Sequence, residues 1–206
     1  MNKKLIIQIV LFAVIIVLGY ILYKSIAEPI SFQREHEARR KVVIEKLKDI
    51  RTLQVAYKTA KGYFTPSFDT LIHFYSSESI RVIKQVGSMD DSLAVAQGLV
   101  KRDTITIPVK DTIFNNRPDF DIKKIGIVPY ADVPFKLDTA MFMTPSKIQV
   151  PLFEASVRNE VYLIGLDQQQ IINLNDKEEK KQKGLGFPGL KVGDVHQPNN
   201  NAGNWE

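Results

Sequence analysis

Histidine is the natural starting point for chemistry at neutral pH, and this chain carries three: His36, His73 and His196. They stand far apart and fit no ligand spacing such as His-Glu-x-x-His, so a shared metal is not expected from them. No serine or threonine lies in a nucleophile-elbow pattern, and histidines without an evident partner do not make a triad. Cysteine is absent, which removes a thiol nucleophile, a Cys-based zinc site, an iron–sulfur cluster and a disulfide framework. Asp90-Asp91 and the pair Asp119/Asp121 are candidate hard-cation ligands, yet neither has the dense oxygen spacing of a calcium loop; surface carboxylates are the simpler reading. The segment 184–193 (GLGFPGLKVG) has the glycine density of a phosphate loop. It lacks the Gly-Lys-Ser/Thr ending and carries Pro188 where a backbone N–H is needed, so a loop packed against a sheet is expected instead. Tyr57, Tyr63, Phe64, Phe68 and Phe74 fall within eighteen residues, a spacing that suits a core where helix meets sheet better than a base-stacking platform. Neither a catalytic residue, a metal nor a cofactor is expected, and the chain does not read as an enzyme.

The elements that carry these residues are set by an uneven distribution of charge and hydrophobicity. The 206 residues hold 28 Lys+Arg against 23 Asp+Glu, a net charge of +5. Residues 1–41 contain seven basic and three acidic side chains, so four of the five excess charges sit there. The remainder, from Val42 onward, is almost balanced, with 21 basic and 20 acidic residues. It has no basic excess to attract phosphates, and nucleic acid is not an expected partner.

Residues 5–23 (LIIQIVLFAVIIVLGYILY) form a run of 19 without a charge, roughly 28 Å long as a helix, which matches the hydrocarbon thickness of a bilayer. Fourteen of the nineteen are Leu, Ile, Val or Phe, together worth about −4 to −8 kcal/mol of insertion free energy. Tyr20, Tyr23 and Lys24 suit the interface, where amphipathic rings and a snorkelling ammonium sit. The run is longer than a signal-peptide core and lacks a good cleavage site, so it reads as an uncleaved transmembrane helix. Within it Gln8 can hydrogen-bond across a helix pair and Gly19 permits close approach, which makes these two the candidate membrane-oligomer contacts. Residues 1–4, with Lys3 and Lys4 beside the span, are expected to be a cytoplasmic tail, and the body is expected in the periplasm of a bacterial inner-membrane protein.

Beyond the span, Pro29 marks the end of the membrane helix or a kink in it. Residues 24–61 read as a stalk and amphipathic helix: Val43, Leu47, Ile50 and Tyr57 recur at helical spacing, with charged residues opposite. Gly62 is a natural stop. Residues 62–183 read as an α+β domain. Ser67 or Asp69 caps a short helix through Ser76; strands are expected at 80–86, 104–110, 125–129, 135–143 and 149–157. Asp167 opens a helix, and 176–183 (DKEEKKQK) is a solvated face or loop. Residues 184–206, rich in Gly, Pro and Asn, are expected to be an extended or irregular C-terminal tail. The fold class is α+β, an N-terminal transmembrane helix continuing into a long amphipathic helix on a mostly antiparallel sheet.

The stretch 47–74 (LKDIRTLQVAYKTAKGYFTPSFDTLIHF) resembles the part of type IV pilins and secretion pseudopilins where the long helix ends. The matching residues are Ile50-Arg51, Gln54, Tyr57, Gly62-Tyr63 and Asp69-Thr70-Leu71. The resemblance implies a membrane-spanning half-helix threaded into an amphipathic half on an antiparallel sheet. The family's glycine before Phe or Met at a cleavage site, and the glutamate five residues into the mature helix, have no counterpart here. The tail from Gly189 to Glu206 is similar to single-span envelope proteins of Bacteroidota. Together these readings predict a structural subunit of a bacterial envelope assembly of the type II secretion or type IV pilus kind. Its partners would be the lipid bilayer and other envelope proteins or itself. Arg34, Glu37 and Arg40 on the stalk, and Trp205 in the tail, are the expected partner-interaction residues. A membrane-anchored periplasmic module that binds or senses a ligand is the alternative.

Overall fold

The computed structural model describes residues 3–86, 101–181 and 186–206. Helix α1 runs without a break from Lys3 to Lys61, 59 residues and about 88 Å. Its two halves form for different reasons. The first is apolar all round, and a chain of that composition satisfies its backbone groups internally as a helix. The second is amphipathic: Val43, Leu47, Ile50 and Leu53 are fully buried, while Glu45 and Thr52 on the far side are exposed. Of the two outcomes expected at Pro29, termination is excluded, because the helix passes through it. Proline forfeits one backbone bond, here to the Ser25 carbonyl. The turns around it carry local support, a Lys24–Glu28 ion pair at 3.1 Å and a Ser31 hydroxyl donating to the Glu28 carbonyl at 2.9 Å.

Gly62 ends α1 as expected, with φ at +90° and its N–H donating to the Lys58 carbonyl at 2.7 Å; a left-handed residue is cheapest as glycine. The reversal that follows is fixed by Gln54, fully buried, whose amide donates to the Thr65 carbonyl at 2.6 Å and accepts from the Thr65 N–H at 3.2 Å. Helix α2 (Phe68–Ser77) starts at Ser67, whose hydroxyl accepts from the Thr70 N–H.

Strands β1 (Ser79–Val86) and β2 (Lys101–Pro108) pair antiparallel, Ser79 opposite Pro108 and Val86 opposite Lys101. The strand expected over 104–110 stops at Pro108. Buried Val109 donates to the Glu78 carbonyl at 3.0 Å and opens a single helical turn, α3 (Val109–Thr112). A second sheet has the order β3-β4-β5, formed by β3 (Lys136–Met143), β4 (Gln149–Arg158) and β5 (Gly189–Gly193), all antiparallel. Between β4 and β5 lie α4 (Asn159–Tyr162) and α5 (Gln168–Glu179). The latter opens at Asp167, whose carboxylate accepts from the Gln170 N–H at 2.8 Å, and takes up the first residues of the charge run.

Two regions differ from the sequence reading. The expected strand at 125–129 is instead the continuation of a 3₁₀ turn (Ile122–Lys124), with only a single bridge, Ile127 opposite Pro134. Ile125 and Val128 are both buried, so their apolar character anchors a tight loop rather than marking strand alternation. The loop closes on itself through Val128 N–H to Val133 O and Phe135 N–H to Gly126 O, both at 2.8 Å. In the tail, the extended chain is the third strand of the sheet, with Leu190 and Val192 buried. Its glycines have a steric cause: a Cβ at Gly193, where φ is +75°, would run into the Phe153 carbonyl.

The architecture is α+β, a long N-terminal helix with antiparallel sheets. Val43, Leu47, Ile50, Leu53 and Tyr57 of α1 belong to one buried cluster with Phe153, Ala155, Val157, Leu190 and Val192 of the strands.

Candidate functional site

The densest set of polar side chains with interior partners lies where α1 enters the body. His36 falls seven residues before Val43, so the helical period carries it onto the buried stripe, and it is only 8% exposed. Phe32 (6.2 Å between centroids) and Tyr162 (6.5 Å) both stack with its ring. The Tyr162 hydroxyl lies 3.5 Å from His36 Nε2 and donates to Asn159 Oδ1 at 2.8 Å. Asn159, fully buried, donates from Nδ2 to Asn175 Oδ1 at 2.8 Å and to Glu178 Oε2 at 2.7 Å. Asn175 in turn donates to Glu160 Oε1 at 2.6 Å. The network thus ties α1, α4 and α5 together.

Burial pulls the His36 pKa below its ordinary value; Glu37 and Glu178 oppose that pull and Arg40 adds to it. Burial likewise pushes the Tyr162 hydroxyl up, with Glu178 contributing. Both groups are therefore neutral near pH 7. A neutral, stacked, water-excluded set of this kind holds a helix in place.

Arg39 makes the second tie. Its Nη1 donates to the carbonyls of Tyr162 (3.2 Å) and Ile164 (2.9 Å), its Nε pairs with Glu35 at 3.0 Å, and its guanidinium lies 4.8 Å from the Tyr130 ring centre. Farther along α1, buried Asp49 accepts both arms of Arg117 (2.6 and 3.0 Å), and that guanidinium lies over Phe114 and Phe120. Arg51 reaches the tail, donating to Glu206 Oε1 at 2.6 Å and to the Asn201 carbonyl at 3.3 Å.

A polar groove of about 440 Å³ opens beside this junction, bounded by Arg40, Glu178, Lys191, Asp194, Asn204 and Glu206. Most of its charges have partners within the body: Arg40 pairs with Glu37, Glu206 with Arg51, and Glu178 accepts from Asn159. Lys191 bonds Asp194 at 3.0 Å and Glu154 at 3.3 Å. Burial lowers its pKa, but these two carboxylates outweigh burial and hold it above the ordinary lysine value. Among the described residues no group of three or more His, Asp or Glu gathers as a metal-binding set. His73 and His196 remain apart from His36, and Asp119 and Asp121 stay on an exposed loop where Asp121 caps the 3₁₀ turn. Asp90-Asp91 lie outside the described residues.

The sequence-predicted contact residues divide between surfaces. Gln8 and Gly19 are exposed on the apolar half of α1, and the space around the Gly19 Cα is open. Arg34 and Glu37 are exposed on the stalk; Glu37 pairs with Arg40 at 3.7 Å. Arg40 itself is half-buried and turned to the polar groove. Trp205 is half-buried against the core cluster, its indole lying where a Gly203 side chain would be, and its Nε1 is buried with no hydrogen-bond partner among the described residues. Sequence reasoning missed Arg39, Asn159 and Tyr162. Only His36 carried a signal, its place on the stripe leading to Val43 and Leu47; Asn159 and Tyr162, and the carbonyls that Arg39 meets, come from a segment more than 100 residues away. Comparison of this chain with protein-family models, curated proteins and solved structures finds no match.

Proposed function

We propose that this protein is a non-enzymatic, single-pass structural subunit of a bacterial envelope assembly of the secretion or pilus type. Residues 5–23 cross the inner membrane, and the amphipathic half of α1 lies on the antiparallel sheet of a periplasmic body. The observation that carries this reading is the continuity of α1. One rod joins an apolar stretch with no protein around it to a stripe of fully buried residues. Among the described residues it is the one helix long and apolar enough to cross a membrane. The ties at His36, Arg39, Asp49 and Arg51 fasten that rod to the body along about 22 Å of its length, which suits transmission of position rather than turnover of a substrate. Fusions at Glu206 to alkaline phosphatase and to a fluorescent protein test the topology. Phosphatase activity with a dark fluorescent fusion is expected, and the reverse pattern overturns the reading. Solubilisation in mild detergent followed by native electrophoresis tests assembly, with a species larger than the monomer expected.

The polar groove beside Arg40 favours a second reading, a membrane-anchored periplasmic module that binds or senses a ligand. Thermal-shift screening with sugars, amino acids and peptidoglycan fragments separates the two, because a structural subunit shows no stabilisation by any of them.

A further inference from the structure

The three-stranded sheet has two edges, and the chain treats them differently. The β5 edge is covered by the tail, with Gly193 N–H donating to Ala202 O and Asn204 N–H to Lys191 O, both at 3.0 Å. The β3 edge receives no such cover: among the described residues, no backbone bond from outside the sheet reaches Lys136–Met143. We propose that this edge is a docking strand, to which an extended segment of a different protein adds as a fourth strand.

The backbone pattern identifies the groups on offer. Thr144 N–H donates to Ile148 O at 2.9 Å, and these two continue the β3–β4 register in which Met143 faces Gln149. Bonded pairs alternate in an antiparallel ladder, so Phe142, Ala140 and Asp138 bond to β4, whereas Met143, Met141, Thr139 and Leu137 turn their N–H and C=O groups outward. Pro151 agrees with this phase: it lacks an N–H and stands opposite Met141, an unbonded position. From Thr139 to Met143 the strand carries no charge and no proline, the usual protections of an edge.

The side chains supply a second, independent feature. Met141 and Met143 lie on the same sheet face as the buried Phe153 and Ala155 but are 59% and 53% exposed, because α1 ends before it reaches them. A groove of about 470 Å³ opens there, bounded by Tyr63, Phe64, Thr139, Met141, Pro151 and Leu152. A strand added to β3 places every second side chain over this groove. Recognition is therefore by main-chain hydrogen bonds plus apolar side chains at alternate positions, and the flexible methionines adapt to their shape.

The direction of the strands excludes antiparallel pairing with the β3 of a second copy held in the same membrane. Phe64, just past the end of α1, meets Phe153 at 4.8 Å between ring centres, and Arg39 near the span meets Tyr162 just beyond β4. Strand β4 thus runs back toward the span and β3 runs away from it. Antiparallel β3–β3 pairing across a two-fold axis would point the two anchors in opposite directions. This exclusion rests on the membrane-anchored reading above; the open edge itself does not.

The test is amide hydrogen exchange, read by NMR, on the full chain in lipid nanodiscs. The probe is a blocked heptapeptide of alternating valine and threonine and a second form N-methylated at alternate amides. Thr139, Met141 and Met143 are expected to exchange at least a hundredfold faster than Asp138, Ala140 and Phe142. The unmodified peptide slows them at least tenfold, and neither the methylated peptide nor the Met141→Lys variant shows this effect. Protection of these three amides before any peptide is added overturns the proposal, as does equal binding of both peptides. Protection that rises with protein concentration alone overturns the choice of a foreign strand. None of these outcomes depends on which side of a membrane the body occupies, so they are distinguishable from a failed topology test.

Discussion

The two halves of α1 both carry leucines, and those leucines end in opposite surroundings. Leu11, Leu18 and Leu22 are 60%, 54% and 65% exposed, whereas Leu47 and Leu53 are fully buried. Burial by the protein therefore does not follow from how apolar a segment is. The first half is too uniformly apolar to offer the body one face and leave another for water, and it is long and apolar enough to cross a membrane. The second half is less apolar but has its hydrophobic residues in a stripe, and a stripe is what a sheet and two helices are able to cover.

Single substitutions sharpen that contrast, beginning with the largest effect. Leu47→Ala opens a cavity in the core and is expected to destabilise the body by about 3 kcal/mol, while Leu18→Ala leaves it unchanged. Denaturant unfolding of the protein in nanodiscs, followed through Trp205 fluorescence, reads both; equal effects would break the distinction between the halves. Next comes Asp49→Ala, which removes a buried carboxylate from a two-armed pair whose arginine is about half exposed. A loss of about 2 kcal/mol is expected, below the cost of breaking a fully buried pair. Arg117→Ala should lose a similar amount, and the double variant should lose less than the sum of the two.

Acidification probes the point where the halves meet. The folded-state pKa of His36 is lowered, so between its ordinary value near 6.5 and that lower value the unfolded chain binds the proton more readily. The contribution from neutral His36 is present above about pH 6.5 and is lost as pH falls through the window. Melting temperatures from pH 7.5 to 5 are expected to drop for the native chain and to drop less for His36→Phe. The smallest effect belongs to Glu206→Gln. Its pair with Arg51 is partly exposed, and exposed pairs contribute at most about 1 kcal/mol. An increase in exchange at Asn201 and Ala202, with little change in melting temperature, is expected.

Much of the fold was legible because it rests on local rules. Gly62 as a stop, Ser67 and Asp167 as caps, the stripe from Val43 to Tyr57 and the strands near 80–86, 135–143 and 149–157 each follow from neighbours a few residues apart. The errors arise where local signals are ambiguous. Ile125 and Val128 look like strand residues, yet each anchors a loop that turns back after two backbone bonds. Gly189–Gly193 reads only as extended or irregular chain, and that it is a strand of the sheet is hidden because its glycines answer to the crowding of β4, which a composition reading does not see. At the junction, His36 stands on a readable stripe, but its partners Tyr162 and Asn159 come from a turn whose position no nearby residue announces. Arg39 is fastened to the body through the facing carbonyls of Tyr162 and Ile164, and that tie exists only once the distant segment is in place.

By itself the sequence determined that an apolar rod of membrane-spanning length precedes an amphipathic one, where that rod stops, and that no metal-ligand or nucleophile spacing accompanies it. These are matters of composition, period and capping, which act over a few residues. Tertiary structure alone decided that the tail closes one edge of the sheet while, among the described residues, β3 keeps the other open, and that a histidine, a tyrosine and two asparagines share one interior network. Those outcomes depend on which distant segments compete for the same buried surface. Their energies come from desolvation and close packing, which exist only once the chain has come together.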